Sequence, residues 1–197
     1  MKPSVPLYLI RHGQTDWNRE QRFQGRTDIP LNALGKRQAR QNGVNLGKLK
    51  SDWTDWDFVS SPLGRTRETI ELLRAAMGLD ADDYELNDAL IEVTFGDWER
   101  HTATELKAKF PDEFEQREHD KWNFTPPNGE SYDLAAKRVR FALGSFDKPT
   151  VVVTHGGVIR AARYFIEELD GNLAASTPIP QDQIYHFNGE KGSWLPS

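Results

Sequence analysis

The sequence predicts an α/β protein whose largely parallel sheet is covered by helices on both faces. Two observations carry this. Short apolar runs stop abruptly at polar or glycine-containing turns, and helical stripes alternate with those runs along the 197 residues. Val5 to Ile10 is an apolar run that breaks at Arg11-His12-Gly13, so it reads as a buried strand. Asn32 to Leu49 reads as a helix with a looser apolar pattern, and Phe58 to Ser60 as a second strand. Leu63, Thr66, Ile70, Leu73 and Met77 then recur at spacings of three and four, one face of a helix. Ser61 is expected to cap that helix and Pro62 to occupy its first turn. Tyr132, Ala135, Ala136, Val139, Leu143 and Phe146 form another stripe, Val151 to Thr154 a third strand, and Val158 to Leu169 the helix after it. Gln183 to Phe187 and Lys191 to Leu195, joined by Asn188-Gly189, read as a late hairpin.

The segment from Phe95 to Gly129 breaks this rhythm. It is poor in aliphatic residues, carries Trp98, Phe110, Phe114, Trp122 and Phe124, and closes with Pro126-Pro127-Asn128-Gly129. A partly helical insert around 95–130 that serves as a lid or substrate wall is the expectation.

Composition narrows the chemistry. With 37% hydrophobic residues, 28% charged residues and no repeat or linker, residues 1–197 read as one domain able to bury its own core. The absence of cysteine removes disulfides, thiolate nucleophiles and cysteine-based metal sites. His101, His119 and His186 show no helical metal-binding spacing, so neither a metal nor another cofactor is expected. A net charge of −5 argues against a nucleic-acid partner. No apolar run approaches the ~20 residues that span a bilayer, so no membrane partner is expected. No secretory cleavage pattern follows Met1-Lys2-Pro3-Ser4, which makes cytoplasmic residence the expectation. Oligomeric state is not readable.

In open α/β sheets ligands bind beyond the carboxyl ends of the strands. There the reading places Arg11-His12-Gly13, Arg65 in the first turn of its helix, and His155-Gly156-Gly157. Two arginines and two imidazoles beside helix N-termini suit a phosphate. A neutral histidine held at its far nitrogen can attack phosphorus, and clamping arginines stabilise the transferring group. The leaving oxygen needs a proton. Glu92 is the leading candidate donor, with Glu99 and Asp97 as alternatives that position does not separate from it.

Arg11-His12-Gly13-Gln14-Thr15-Asp16-Trp17-Asn18 resembles the R-H-G-x-T-x-x-N signature of the histidine phosphatase superfamily, in its phosphoglycerate-mutase-like branch. The resemblance continues in order through Gln24-Gly25, Ser60-Ser61-Pro62-Leu63-x-Arg65, Glu92-x-x-Phe95-Gly96-x-Trp98-Glu99, Pro127-x-Gly129-Glu130-Ser131 and Val153-Thr154-His155-Gly156-Gly157. It implies a three-layer α/β/α sandwich, a nucleophilic His12, a phosphate pocket of Arg11, Arg65 and His155, and Glu92 as proton donor. Asn18, Gln24 and the Gly156 amide would add phosphoryl contacts, and no metal would be used. The implied activity is hydrolysis of a phosphate monoester through phosphohistidine, on a small phosphorylated metabolite, with phosphoproteins left open. The rivals are a phosphoglycerate-mutase-type isomerase and a non-catalytic phospho-ligand module. Two departures weaken the mutase: Phe95 stands where its members have tyrosine, and Arg117-Glu118-His119 offers no twin arginine. A third departure is Arg100-His101, where glycine usually follows the Trp-Glu pair.

Overall fold

The computed structural model describes residues 2–195; Met1 and residues 196–197, the ends of the expected 1–197 domain, lie outside the described residues. The chain runs β1 (Leu7–Arg11), α1 (Asp16–Arg19), α2 (Ala33–Gly47), β2 (Asp57–Ser60), α3 (Gly64–Ala76), β3 (Glu85–Leu86), α4 (Ala103–Lys109), α5 (Pro111–His119), α6 (Tyr132–Gly144), β4 (Thr150–Thr154), α7 (Gly156–Ile166), α8 (Gly171–Ser176), β5 (Ile184–Phe187) and β6 (Gly192–Trp194). Short 3-10 turns sit at Asp88–Leu90 and Gly96–Trp98. One sheet holds the strands in the order β3-β2-β4-β1-β5-β6. β3, β2, β4 and β1 are parallel, and the late hairpin β5–β6 joins β1 antiparallel.

Leu7–Ile10 of β1 and Val151–Val153 of β4 are continuous apolar runs because both faces of these central strands are covered. Leu7 and Leu9 of β1 and Val152 of β4 pack with Val139 and Leu143 of α6 and Val158 and Ile159 of α7. Their neighbours Tyr8, Ile10, Val151 and Val153 point the other way, onto Leu46 of α2 and Ile70 and Leu73 of α3. Side chains that alternate between two helical layers make the three-layer sandwich. Each buried aliphatic side chain contributes roughly 1.5–3 kcal/mol by leaving water. Local signals agree with the packing: Asn32 Oδ1 caps α2 by accepting from Gly35 N (3.0 Å), and Ser131 Oγ caps α6 by accepting from Leu134 N (3.2 Å).

The start of α3 departs from expectation. Ser61 does not cap it: the helix opens at Gly64 behind Leu63, which makes no side-chain cap, and Pro62 precedes it. Asp28, from a distant loop, accepts from the amides of Gly64 (2.6 Å) and Arg65 (3.4 Å) instead. The reason is that Ser61 is fully buried and its hydroxyl is committed to His155 at 2.7 Å.

The 95–130 insert is partly helical, through α4 and α5, and its aromatics anchor it. Trp98 is fully buried against Phe114 and Phe124, and Trp122 packs on Tyr132 and Tyr164 with ring centroids 5.9 and 4.1 Å apart. Arg100 explains its own oddity: at φ +71° it holds the left-handed conformation that favours glycine. Its backbone is kept there by Arg100 N donating to Phe23 O (2.8 Å) and Arg22 Nη1 donating to Arg100 O (2.8 Å).

Candidate active site

β1, β2 and β4 end side by side, and their carboxyl ends carry the polar residues. The backbone of His12 still donates to Thr154 O (2.9 Å), so the first turn beyond β1 is strapped to the end of β4. Gly13 follows, its amide donating to Thr69 Oγ1 (3.1 Å), and a side chain there would collide with the Gly35 carbonyl. That close approach sets the turn against the start of α2. His12 is buried, with Nδ1 2.8 Å from the carbonyl of Gly13. A carbonyl only accepts, so Nδ1 carries the proton and Nε2 keeps a lone pair.

His155 lies behind His12, with ring centroids 5.2 Å apart and edge-on. It is fully buried, its Nε2 meets Ser61 Oγ, and its Nδ1 has no hydrogen-bond partner among the described residues. Burial pushes both imidazoles well below the ordinary histidine value, and the charges of Arg65 and Arg11 push the same way. Both rings are therefore neutral at pH 7.

Arg65 is almost completely buried, donating from Nη2 to Gly25 O (2.7 Å) and from Nη1 to Thr27 O (2.8 Å). Gln24 completes its frame, with the amide oxygen toward Arg65 Nε and Nη1 (3.2 Å each) and the nitrogen toward Thr15 Oγ1 (2.9 Å). These bonds leave one Nη2 hydrogen uncommitted. Arg11 Nη1 donates to Ile179 O (2.8 Å), and its buried Nε has no partner among the described residues. Burial and the nearby Arg160 charge hold Arg11 down to about 10. Arginine normally stays far above that, so the site carries positive charge in need of an anion.

Glu92 shares the cavity with these groups from the loop that follows the 3-10 turn Asp88–Leu90. Its Oε1 accepts from the amides of Val93 (2.9 Å) and Gly157 (3.1 Å), and a side chain at Gly157 would strike that same oxygen. Asn18 Oδ1 accepts from Thr15 N (3.1 Å) and Gln181 Nε2 (3.0 Å).

Arg11, His12, Asn18, Gln24, Arg65, Glu92 and Gly156 line one cavity of about 440 Å³. His155 stays beneath its surface, and Trp17 is not on the wall. Glu99 and Asp97 are also off the wall. Asp97 pairs with Asn128, while Glu99 accepts from Arg26 N, Thr27 N and Thr94 Oγ1, each at 3.0 Å. Burial would raise the Glu99 carboxyl, yet these hydrogen bonds hold it below the usual range, as befits a structural carboxylate. Arg26 lies off the wall too, donating to Glu92 O (3.2 Å), whereas Arg22 lines the cavity. Sequence reasoning missed Phe23, Arg117, Lys121, Tyr132, Arg160 and Gln181 on the wall. For Arg160 a signal existed: it follows Gly156 by four residues and so shares its helical face. Among the described residues, no three His, Asp or Glu side chains form a group able to hold a metal.

Comparison with known proteins agrees with this architecture. The model of the histidine phosphatase superfamily (branch 1) matches residues 7–196. The chain is 34% identical over 162 residues to the uncharacterized phosphatase PhoE of Bacillus subtilis (strain 168), covering 78% of this chain and 72% of that protein. It is 35% identical over 198 residues to the probable phosphoglycerate mutase GpmB of Salmonella paratyphi C (strain RKS4594), covering 98% and 89%. The structure of a mycobacterial glucosyl-3-phosphoglycerate phosphatase in complex with VO3 superposes with a TM-score of 0.77 at 28% identity, over 97% of this chain and 96% of that one. The family model spans nearly the whole chain, and the chain belongs to branch 1 of the histidine phosphatase superfamily.

Proposed function

We propose that the protein is a cytoplasmic phosphomonoesterase that hydrolyses a small phosphorylated metabolite through a phosphohistidine on His12, with no metal in the reaction. The observation that carries the reading is the His12 Nδ1 bond to the Gly13 carbonyl, which reserves Nε2 for attack in a cavity shared with Arg11, Arg65 and Glu92. In the first step the Nε2 lone pair bonds to phosphorus while the bond to the leaving oxygen breaks, and Glu92 gives that oxygen its proton. Arg11, Arg65, His155 and the Gly156 amide hold the phosphoryl oxygens, with Asn18 and Gln24 beside them. Water then attacks phosphorus, Glu92 takes its proton, the nitrogen–phosphorus bond breaks and inorganic phosphate leaves. A module that only binds a phosphate has no use for an acid at Glu92. The mutase reading gains Arg117 on the cavity wall, but Glu118 pairs with that arginine at 2.7 Å and no second arginine adjoins it.

The test is single-turnover reaction with a ³²P-labelled aryl phosphate, quenched in alkaline detergent. The wild type should show protein-bound label that is stable to base and lost in acid, and His12→Ala should show none. Label retained by that variant removes His12 as nucleophile. A wild type that labels but releases phosphate only when a phosphorylated cofactor is added is a mutase.

A further inference from the structure

A second cavity, also of about 440 Å³, lies at the other end of the elements that build the catalytic one, and the two share no lining residue. Arg65, in the first turn of α3, serves the catalytic cavity, whereas Arg74, in the last turn of the same helix, and Phe58, near the start of β2, line the second. Nine residues of helix, about 14 Å, separate the two arginines. Trp53, Trp56 and Phe58 wall the second cavity with aromatic rings, Trp53 edge-on to Trp56 at 5.3 Å and tilted to Phe58 at 6.1 Å. Aromatic walls with a few polar groups are the make-up of a small-molecule site.

The polar groups on these walls are donors short of acceptors. Arg74 is only 4% exposed, stacks on Phe58 at 4.2 Å, and commits Nε to Asp80 O (2.6 Å) and Nη2 to Asp83 Oδ2 (3.0 Å), while Nη1 makes no hydrogen bond among the described residues. Trp53 is 7% exposed, and its buried indole Nε1 has no partner among the described residues either. Buried donors are normally satisfied, so two left over at one cavity call for an acceptor. Lys50 Nζ sits 4.9 Å from the Trp56 ring and 5.5 Å from that of Trp53, with no ion pair among the described residues. The nearby acids are occupied: Asp52 Oδ1 accepts from Thr54 N and Oγ1 (2.9 and 2.8 Å), and Asp83 holds Arg74. Burial keeps the Arg74 guanidinium below the ordinary arginine value in spite of Asp83, so a further anion beside it is favoured. We infer that this cavity is a second ligand site, for a flat aromatic carboxylate whose ring lies among Trp53, Trp56 and Phe58 and whose carboxylate accepts from Arg74 Nη1 and pairs with Lys50. A single planar charge matches one free guanidinium nitrogen and one ammonium. A phosphate dianion would bring a second charge against Asp52 and Asp83. The inference does not depend on the phosphohistidine reading.

The test is calorimetric titration of the full chain with 2-naphthoate, its neutral analogue 2-naphthamide, and acetate, which has the charge and no ring. Excess inorganic phosphate is present throughout to occupy the catalytic arginines. The wild type should bind one 2-naphthoate, on the order of tenfold tighter than 2-naphthamide, the worth of a hydrogen bond to a charged group, and should show no binding of acetate. Arg74→Gln should weaken 2-naphthoate by about tenfold, to the level of the amide, and Lys50→Ala should weaken it by about threefold, as for an exposed ion pair. Lys50 is exposed, so where Arg74→Gln does not fold, Lys50→Ala and the difference between acid and amide decide. The absence of saturable binding at millimolar 2-naphthoate overturns the proposal, as do equal affinities for acid and amide. Binding that phosphate abolishes, or that neither variant weakens, belongs to the catalytic cavity or to another surface and overturns it as well.

Discussion

Glu92 is held by two main-chain amides, Val93 and Gly157, and by the bare α-carbon of Gly157 that makes room for it. That frame fixes the position of the carboxyl, and the proton-donor role proposed for it is read through the leaving group. Glu92→Gln should slow an alkyl phosphate by roughly 10²–10⁴-fold in the step that forms phosphohistidine. An aryl phosphate with an acidic phenol should lose much less, because its oxygen leaves without a proton. Single-turnover measurement on both substrates checks this, and equal damage would make Glu92 a positioning group. Glu99 shows why sequence position does not choose among neighbouring acids: seven residues along, it is saturated by Arg26, Thr27 and Thr94 and ties two loops together. Only the fold separates these two carboxylates.

At the scale of elements, what was legible followed from burial. β1 and β4 are covered on both faces, so their apolar runs stand out, and α3, α6 and α7 each bury one stripe. α8 escaped because it is six residues long and buries only Ala174 and Ala175, too little to set a period. Ser61 was misread because its place before a helix looks like a cap, while its partner, His155, lies 94 positions away. The histidines and arginines of the motifs were legible, but Arg117, Lys121 and Tyr132 reach the cavity only through the docking of the insert. That docking turns on Trp122, whose indole covers Gly171 at the start of α8; a methyl group on Gly171 would sit 2.5 Å from Trp122 Cγ. Gly171→Val should therefore displace Trp122, cost about 1–3 kcal/mol, and raise KM through Lys121. Denaturant melts and steady-state kinetics on the same preparation check it, and unchanged stability would show that the insert does not depend on this contact.

The whole molecule carries the site's charge as a dependence on pH. His12 and His155 are both depressed below the ~6.5 of an unfolded histidine. As pH falls through that value the unfolded chain takes up protons that the folded chain refuses. Stability is thus fully present above about pH 6.5 and lost below it, by up to about 1.4 kcal/mol per pH unit for each histidine. Chemical denaturation at pH 7.5 and 5.5 should show a smaller loss for His12→Asn than for the wild type, and equal losses would mean that His12 is not the source. The site also depends on the far end of the chain. Arg11 donates to Ile179 across 168 positions, Gln181 Nε2 donates to His12 O (3.0 Å) across 169, and β5 pairs with β1. During synthesis the ribosome therefore delivers the Arg-His-Gly turn well before its counterparts, which follow Arg11 and His12 by 168 and 169 positions. A nascent chain that stops short of Ile179 bears every signature residue from Arg11 to Gly157, yet it lacks the brace for Arg11 and the strand beside β1. On the phosphohistidine reading proposed above, phosphoryl chemistry waits until the chain has been made through Ile179 and β5.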